Sequence, residues 1–98
     1  MLYTIHFTDD PAHGDKRARH MADHLAFLEA HGDVIQAAGP LIDPASGEVA
    51  GGLWLVEAPS PAEARKLVET DPFWPTGLRK AVDIREWRQV FARRQRLI

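Results

Sequence analysis

The chain has no cysteine among its 98 residues. Disulfide bonds, zinc centres with thiolate ligands and thiol nucleophiles are therefore excluded. No apolar run is long enough to cross a bilayer, and the opening residues, Met1 to Thr8, include no basic region of the kind that begins a secretory signal. We therefore expect a cytoplasmic protein that does not contact a membrane.

Several motifs that bind cofactors or build catalytic triads are also missing. The sequence contains neither a Gly-x-Gly-x-x-Gly fingerprint nor a phosphate-binding P-loop, and no serine lies in a recognisable nucleophile elbow. Gly51-Gly52 falls inside a predicted strand, where it indicates a close backbone approach or a bulge. We expect a protein that needs no cofactor and holds no metal.

The net charge of −2 conceals an uneven distribution. Seven of the twelve Lys and Arg residues lie at or beyond position 79, while twelve of the fourteen acidic residues precede it. A basic end can bind nucleic acid or an anionic ligand. The tail, residues 92–98, has no interleaved aromatic residues and no known motif, so we favour a solvated tail and expect no nucleic-acid partner.

Apolar periodicity and turn signals divide the rest of the chain into six elements of a single domain. These are strands over 2–8, 34–41, 49–56 and 81–91, the last of them bulged, and helices over 16–31 and from 61 to about 70. The order β-α-β-β-α-β predicts an α+β fold of the ferredoxin-like type. Two helices cover one face of such a sheet, so we expect a second copy of the chain to cover the other face in a homodimer.

The helix ends have recognisable signals. Asp15 is a plausible N-cap of the first helix, and Gly32 ends it. Ser60, Pro61 and Glu63 form the capping-box pattern that begins the second helix. Pro72 disfavours helical geometry at the residue before it, so that helix is predicted to end near Thr70.

His24 is the first candidate for chemistry. On the first helix, the predicted apolar arc centres between Ala18 and Met21, and His24 lies about a quarter-turn to one side. A partly shielded imidazole there suits a general acid or base, because it titrates near neutral pH. The alternative is a rim histidine whose hydrogen bonds are satisfied.

Asp71 is the second candidate. Ala64, Leu67, Val68 and position 71 follow the i, i+3, i+4, i+7 spacing, which turns Asp71 toward the sheet. Both helices pack on the same sheet face, so its carboxylate and the imidazole of His24 are predicted to meet at a shared cavity. The alternative is a turn aspartate before Pro72.

His20 and His24 are also four residues apart, a spacing found in metal sites, with Asp71 as a conceivable third ligand. Two histidines without a defined third ligand are weak evidence, so metal binding is the lesser alternative. We predict instead that His20, with Gly39 and Pro40, contributes to substrate binding.

Four stretches, taken together, resemble the YciI-like proteins of the YCII-related domain family. They are Leu2 to Phe7, His24 to Leu28, Gly39 to Leu41 and Asp71 to Phe73, and the segment Glu86 to Phe91 also fits. The resemblance places this domain at residues 1–91. It implies a ferredoxin-like fold that dimerises as an α/β barrel, with an active-site His and Asp that fall on His24 and Asp71. Many members have an arginine three residues before the histidine, where this chain has Met21.

These observations predict a small cofactor-independent enzyme of the lyase or isomerase type. His24 would move a proton, Asp71 would orient it, and the substrate would be a small anionic or carbonyl-bearing metabolite. Two alternatives stay open: a non-catalytic dimeric module that binds a metabolite, and a cofactor-free oxygenase. The fold alone does not choose among them.

Overall fold

The computed structural model describes all residues, 1–98, and consists of a four-stranded sheet with helices on one face. Its elements, in chain order, are β1 (Leu2–Asp9), α1 (Asp15–Arg19), α2 (Met21–Ala30), β2 (Ile35–Ile42), β3 (Val49–Glu57), α3 (Pro61–Thr70), β4 (Arg79–Glu86), β5 (Phe91–Ala92) and β6 (Gln95–Arg96). Short 3-10 turns occupy Pro11–His13 and Trp74–Thr76.

The strands pair in the order β2-β3-β1-β4, and every pairing is antiparallel. This arrangement is compatible with the predicted ferredoxin-like fold. The apolar side chains of the inner sheet face, with Phe27 from α2 and Ala64 and Val68 from α3, form the core. The core therefore lies between the sheet and the helices, and the other sheet face carries no element of this chain.

Several predicted boundaries are confirmed. Tyr3, Ile5 and Phe7 of β1 are buried, as their alternation predicts. The hydroxyl of Ser60 accepts a hydrogen bond from the backbone N–H of Glu63 at the start of α3. That helix ends at Thr70 because Asp71, which precedes Pro72, has an extended ψ of 134°.

The prediction of one continuous helix over 16–31 is wrong. Backbone geometry departs from helical at His20 (φ −109°, ψ 11°), which separates α1 from α2, and Gly14 rather than Asp15 occupies the N-cap position. No glycine or proline marks the break between residues 15 and 31, so it has no local sequence signal.

The predicted buried face of this helix is also wrong. The buried residues of α2 are His24 and Phe27, whereas Leu25 is 49% exposed. The predicted apolar arc centres between Ala18 and Met21, yet Ala18 is exposed and Met21 only half-buried. Met21, Leu25 and Leu28 line a cavity, so their apolar side chains form a pocket wall.

The last strand is shorter than predicted. β4 runs from Arg79 to Glu86, so Trp87 lies beyond its end. The irregularity of its pairing lies near its start, where Thr8 pairs with Ala81 and Asp9 with Arg79. Residues of the predicted basic tail belong instead to a small hairpin in which β5 pairs with β6. β2 ends at Ile42, one residue beyond its predicted end, and Gly39 and Pro40 lie within it.

Gly51 brings two strands unusually close together. A Cβ atom at this position would overlap the backbone oxygen of Phe7 on β1, which confirms the predicted close backbone approach. The neighbouring Gly52 faces the cavity described below. The glycine pair therefore lets β1 and β3 pair tightly beside the candidate site.

None of the helices has the length and apolar character needed to span a membrane.

Candidate active site

The ends of two helices bring His24 and Asp71 together. His24 is in the first turns of α2, and its side chain is buried. Asp71 is the C-terminal cap of α3, where its carboxylate keeps the direction of the stripe Ala64-Leu67-Val68 and is 1% exposed. The predicted convergence of the two residues is confirmed, because Nδ1 of His24 lies 2.9 Å from Oδ1 of Asp71.

This contact determines which nitrogen of the neutral imidazole carries the proton. The same carboxylate oxygen accepts a hydrogen bond from the backbone N–H of Phe73 at 3.2 Å, so Asp71 is also the turn aspartate of the alternative interpretation. Because an ionised carboxylate only accepts hydrogen bonds, Nδ1 of His24 must carry the proton. Nε2 then presents its lone pair, and no protein group hydrogen-bonds to it.

A third charged residue, Arg79, holds the other side of Asp71. Nη1 of Arg79, at the start of β4, lies 2.6 Å from Oδ2 of Asp71, and its side chain is only 5% exposed. Its guanidinium carbon lies 3.9 Å from the ring centroid of Phe7, within cation–π distance. Asp71 is therefore held from two sides, by an imidazole and by a guanidinium.

The electrostatics of this cluster favour an ionised Asp71. Burial alone would raise the pKa of Asp71, but the hydrogen bond from His24 and the positive charge of Arg79 outweigh it and lower the pKa below its ordinary value. Burial lowers the pKa of Arg79, and the adjacent carboxylate partly opposes that effect. Each of the two buried charges thus stabilises the ionised form of the other.

Aromatic rings fix the orientation of the imidazole. The ring of His24 stacks on Phe73 with centroids 4.1 Å apart and planes 22° from parallel. The ring of Trp54, from β3, is roughly parallel to the imidazole, with the two centroids 6.3 Å apart. With Nδ1 bonded to Asp71, this stacking leaves the imidazole little freedom to rotate, which is the preorganisation that a proton-transfer group needs.

The imidazole borders a cavity of about 100 Å³ between α2 and the sheet. Its lining consists of Phe7, Arg17, Met21, His24, Leu25, Leu28, Ala38, Gly39, Pro40, Gly52, Trp54 and Arg79. The ionisable members of this set are two arginines and one histidine, so all are basic. Asp71 lies behind the wall and contributes no surface to it.

The structure separates the three residues that were predicted to bind substrate. Gly39 and Pro40 line the cavity. His20 is at the break between α1 and α2 and is not among the lining residues, so the structure does not bring it to the ring of His24. No group of three or more His, Cys, Asp or Glu side chains is arranged to hold a metal ion.

Sequence reasoning missed Arg17 and Arg79. Arg79 appeared only as the first of the C-terminal basic residues, and nothing local distinguishes it from the solvated ones. Its position becomes evident from strand register, which pairs Arg79 with Asp9 and thereby places it at the cavity end of β1. Arg17 joins it there, held 2.6 Å from Asp9 by an ion pair.

The model of the YCII-related domain family matches residues 1–88. The chain belongs to this family. A search of curated proteins finds no match. Among solved structures, this YCII-related protein is similar to a 5-chloro-2-hydroxyhydroquinone dehydrochlorinase from Burkholderia phenoliruptrix, determined in complex with 2,5-dihydroxybenzoquinone. The two chains share 34% sequence identity with a TM-score of 0.80, over 90% of this chain and 94% of the other.

Proposed function

We propose that this YCII-related protein is a small enzyme of the lyase or isomerase type, in which His24 removes a proton from a small anionic or carbonyl-bearing substrate. The observation that carries the proposal is the 2.9 Å contact between Nδ1 of His24 and Asp71, which leaves Nε2 at the cavity without a protein partner. A base must be within hydrogen-bond reach of the proton that it takes, and the cavity provides that approach.

Each residue of the cluster has a distinct task in this reaction. Nε2 of His24 accepts the proton of a substrate O–H or C–H bond, and the electron pair of that bond moves into the substrate. In an elimination, a leaving group departs with its own bonding pair, so the substrate loses a proton and an anion with no change in overall oxidation state. Asp71 acts as a positioning residue that stabilises the imidazolium formed.

The similarity to a dehydrochlorinase supports the elimination form of this chemistry. The Burkholderia enzyme, as its name states, removes the elements of HCl from a chlorinated hydroxyhydroquinone. Identity of 34% across nearly the whole of both chains makes a related reaction on a hydroxylated ring the best-supported proposal for this chain. The apolar and aromatic parts of the wall, including Trp54 and Leu28, suit a planar ring.

Release of chloride from chlorinated hydroxyhydroquinones tests the proposal. We expect turnover by the intact protein and a fall of about a hundredfold to ten-thousandfold in His24→Gln, since general base catalysis contributes on this scale. His13→Gln is the matched control, because His13 lies in the 3-10 turn after β1 and does not line the cavity. His20→Gln, with its side chain away from the cavity wall, tests the predicted binding role of that residue.

Two outcomes would contradict the proposal. Turnover unchanged in His24→Gln would remove His24 from the reaction. Saturable binding of these compounds without release of chloride or isomerisation, retained in His24→Ala, would favour the non-catalytic binding module instead.

A further inference from the structure

The charges around the cavity are segregated by sign. Its wall contains the side chains of Arg17, His24 and Arg79 and no carboxylate. The acidic partners of the two arginines, Asp9 and Asp71, lie 2.6 Å from them and do not line this cavity. Asp71 is buried, and Asp9 lines a neighbouring cavity. The cluster is close to neutral overall, yet only its basic groups face this cavity.

Arg79 keeps hydrogen-bonding capacity despite its burial. Its side chain is only 5% exposed, and Nη1 is buried against Asp71 in the ion pair. The other two guanidinium nitrogens, Nε and Nη2, keep some accessible surface and form no hydrogen bond within the protein. A guanidinium has five N–H donors. Its stacking over Phe7 holds its plane fixed, and Arg79 lines the cavity, so a ligand oxygen there meets a donor that is already oriented.

Arg17 supplies the second cation. It extends from α1, and its guanidinium carbon lies 5.7 Å from the ring centroid of Phe73, the ring on which His24 stacks. Its side chain is 21% exposed, so it is more accessible than Arg79. The two arginines therefore present donors to one small space that the acceptor nitrogen of His24 also borders.

We infer that Arg17 and Arg79 form an oxyanion subsite, and that the substrate is a small planar molecule carrying an ionised oxygen that binds these arginines while His24 reaches its proton. This inference rests on the proposed function and specifies its substrate class. Charge-assisted hydrogen bonds in a site shielded from water are the strong ones, and an ionised oxygen would satisfy the donors that Arg79 leaves open. The ionised oxygen belongs to an enolate or phenolate, or to a carboxylate.

Binding of matched probes, measured by calorimetry, tests the subsite without any turnover. The probes are 2,5-dihydroxybenzoquinone, an ionised planar enol; benzoate, a planar carboxylate; and hydroquinone, an uncharged ring of the same size. We expect at least one of the two anions to bind more tightly than hydroquinone by about tenfold or more, and its affinity to fall as salt is raised. The preferred anion identifies the source of the oxygen.

Variants of the arginines complete the test. Arg17→Gln should weaken binding of the preferred anion by about tenfold to a hundredfold and leave hydroquinone unaffected, as expected for the loss of one charged hydrogen bond. Arg17→Lys should lose less affinity for the anion than Arg17→Gln, because lysine keeps the positive charge. Arg79→Lys, checked for folding by circular dichroism, should weaken binding of the anion because lysine cannot reproduce the planar donor set. Arg65→Gln, at an exposed arginine of α3 that does not line the cavity, is the control that should change nothing.

The subsite is overturned if both anions bind no better than hydroquinone, or if the Arg17 and Arg79 variants bind the anions as tightly as the unaltered protein. Such a failure differs from failure of the proposed function. If the anion preference is absent but turnover still depends on His24, only the subsite is rejected. If anions bind strongly but there is no turnover, the proposed enzymatic activity is rejected and the subsite is retained.

Discussion

At the scale of single residues, the candidate site depends on one buried carboxylate that serves three donors. Asp71 accepts hydrogen bonds from the imidazole of His24 and from the backbone of Phe73, and pairs with Arg79. Removing the charge of one member of such a buried set leaves another charge uncompensated. Asp71 is therefore expected to matter for stability as well as for the chemistry of His24.

The variant Asp71→Asn should lose about 3–5 kcal/mol of unfolding free energy at pH 7, because Arg79 stays buried without its counterion. Since the folded-state pKa of Asp71 lies below its unfolded value, its stabilising effect is complete above the unfolded pKa, about 4, and is lost as the pH falls through the folded pKa. Urea unfolding of both proteins from pH 7 to pH 3 measures this.

The difference between the two proteins should be largest at neutral pH and should shrink below about pH 4. A difference that is the same at every pH would show that the charge of Asp71 is not what stabilises the fold. The amide introduced by Asp71→Asn keeps an oxygen that can accept the hydrogen bond from the backbone of Phe73, so the turn itself is a minor part of the loss.

Residue-level prediction succeeded for the convergence of His24 and Asp71 and failed for Arg79, and the reason is physical. The helical spacing from Ala64 to Asp71 is local, so the direction of the Asp71 side chain can be predicted from the sequence. The placement of Arg79 depends on which strands pair and in which register. That pairing is non-local, so it cannot be predicted from the residues next to Arg79 in the sequence. Arg17 is similar, because its contact with Asp9 depends on how α1 is placed, and the break that ends α1 at His20 was not predicted.

At the scale of secondary-structure elements, the packing of β1 against β3 sets the geometry of the cavity floor. Phe7 of β1 and Gly52 and Trp54 of β3 line the cavity, and Phe7 also stacks with Arg79. The strands can pair closely here because Gly51 has no side chain. The alternating pattern of β1 predicted its buried face correctly, whereas the glycine pair predicted the close approach but not its partner.

Gly51→Ala should therefore destabilise the protein by about 3 kcal/mol or more, because the new methyl group would lie against backbone of β1 that cannot move aside as a side chain would. For a domain of this size we expect the midpoint of thermal unfolding to fall by more than about 10 °C. Gly39→Ala is the matched control on the adjoining strand.

A Cβ atom at Gly39 would have no atom within 4 Å, so that variant should unfold at the same temperature as the parent or slightly higher. If Gly51→Ala were as stable as Gly39→Ala, the close approach of β1 and β3 would not be a feature of the folded protein in solution.

At the scale of the whole molecule, the helices cover only one face of the sheet, and the other face is partly apolar. Leu53 and Leu55 of β3 point to that side, together with Trp87, which is 44% exposed. Exposed contiguous apolar surface indicates an interaction site, and a self-complementary sheet face suits a two-fold dimer. We propose that a second copy of this chain packs there, as the resemblance to YciI-like proteins implies.

Light scattering coupled to size-exclusion chromatography should therefore give the mass of a dimer, about twice the 11.0 kDa of one chain. Leu55→Glu should yield monomers, because it would place an unpaired charge in the interface. Ala62→Glu adds the same charge at an exposed position of α3, on the helical side of the molecule, and should stay dimeric. A monomeric parent protein would show that no second copy covers this face. A Leu55→Glu variant that stays dimeric would place the interface on another surface of the molecule.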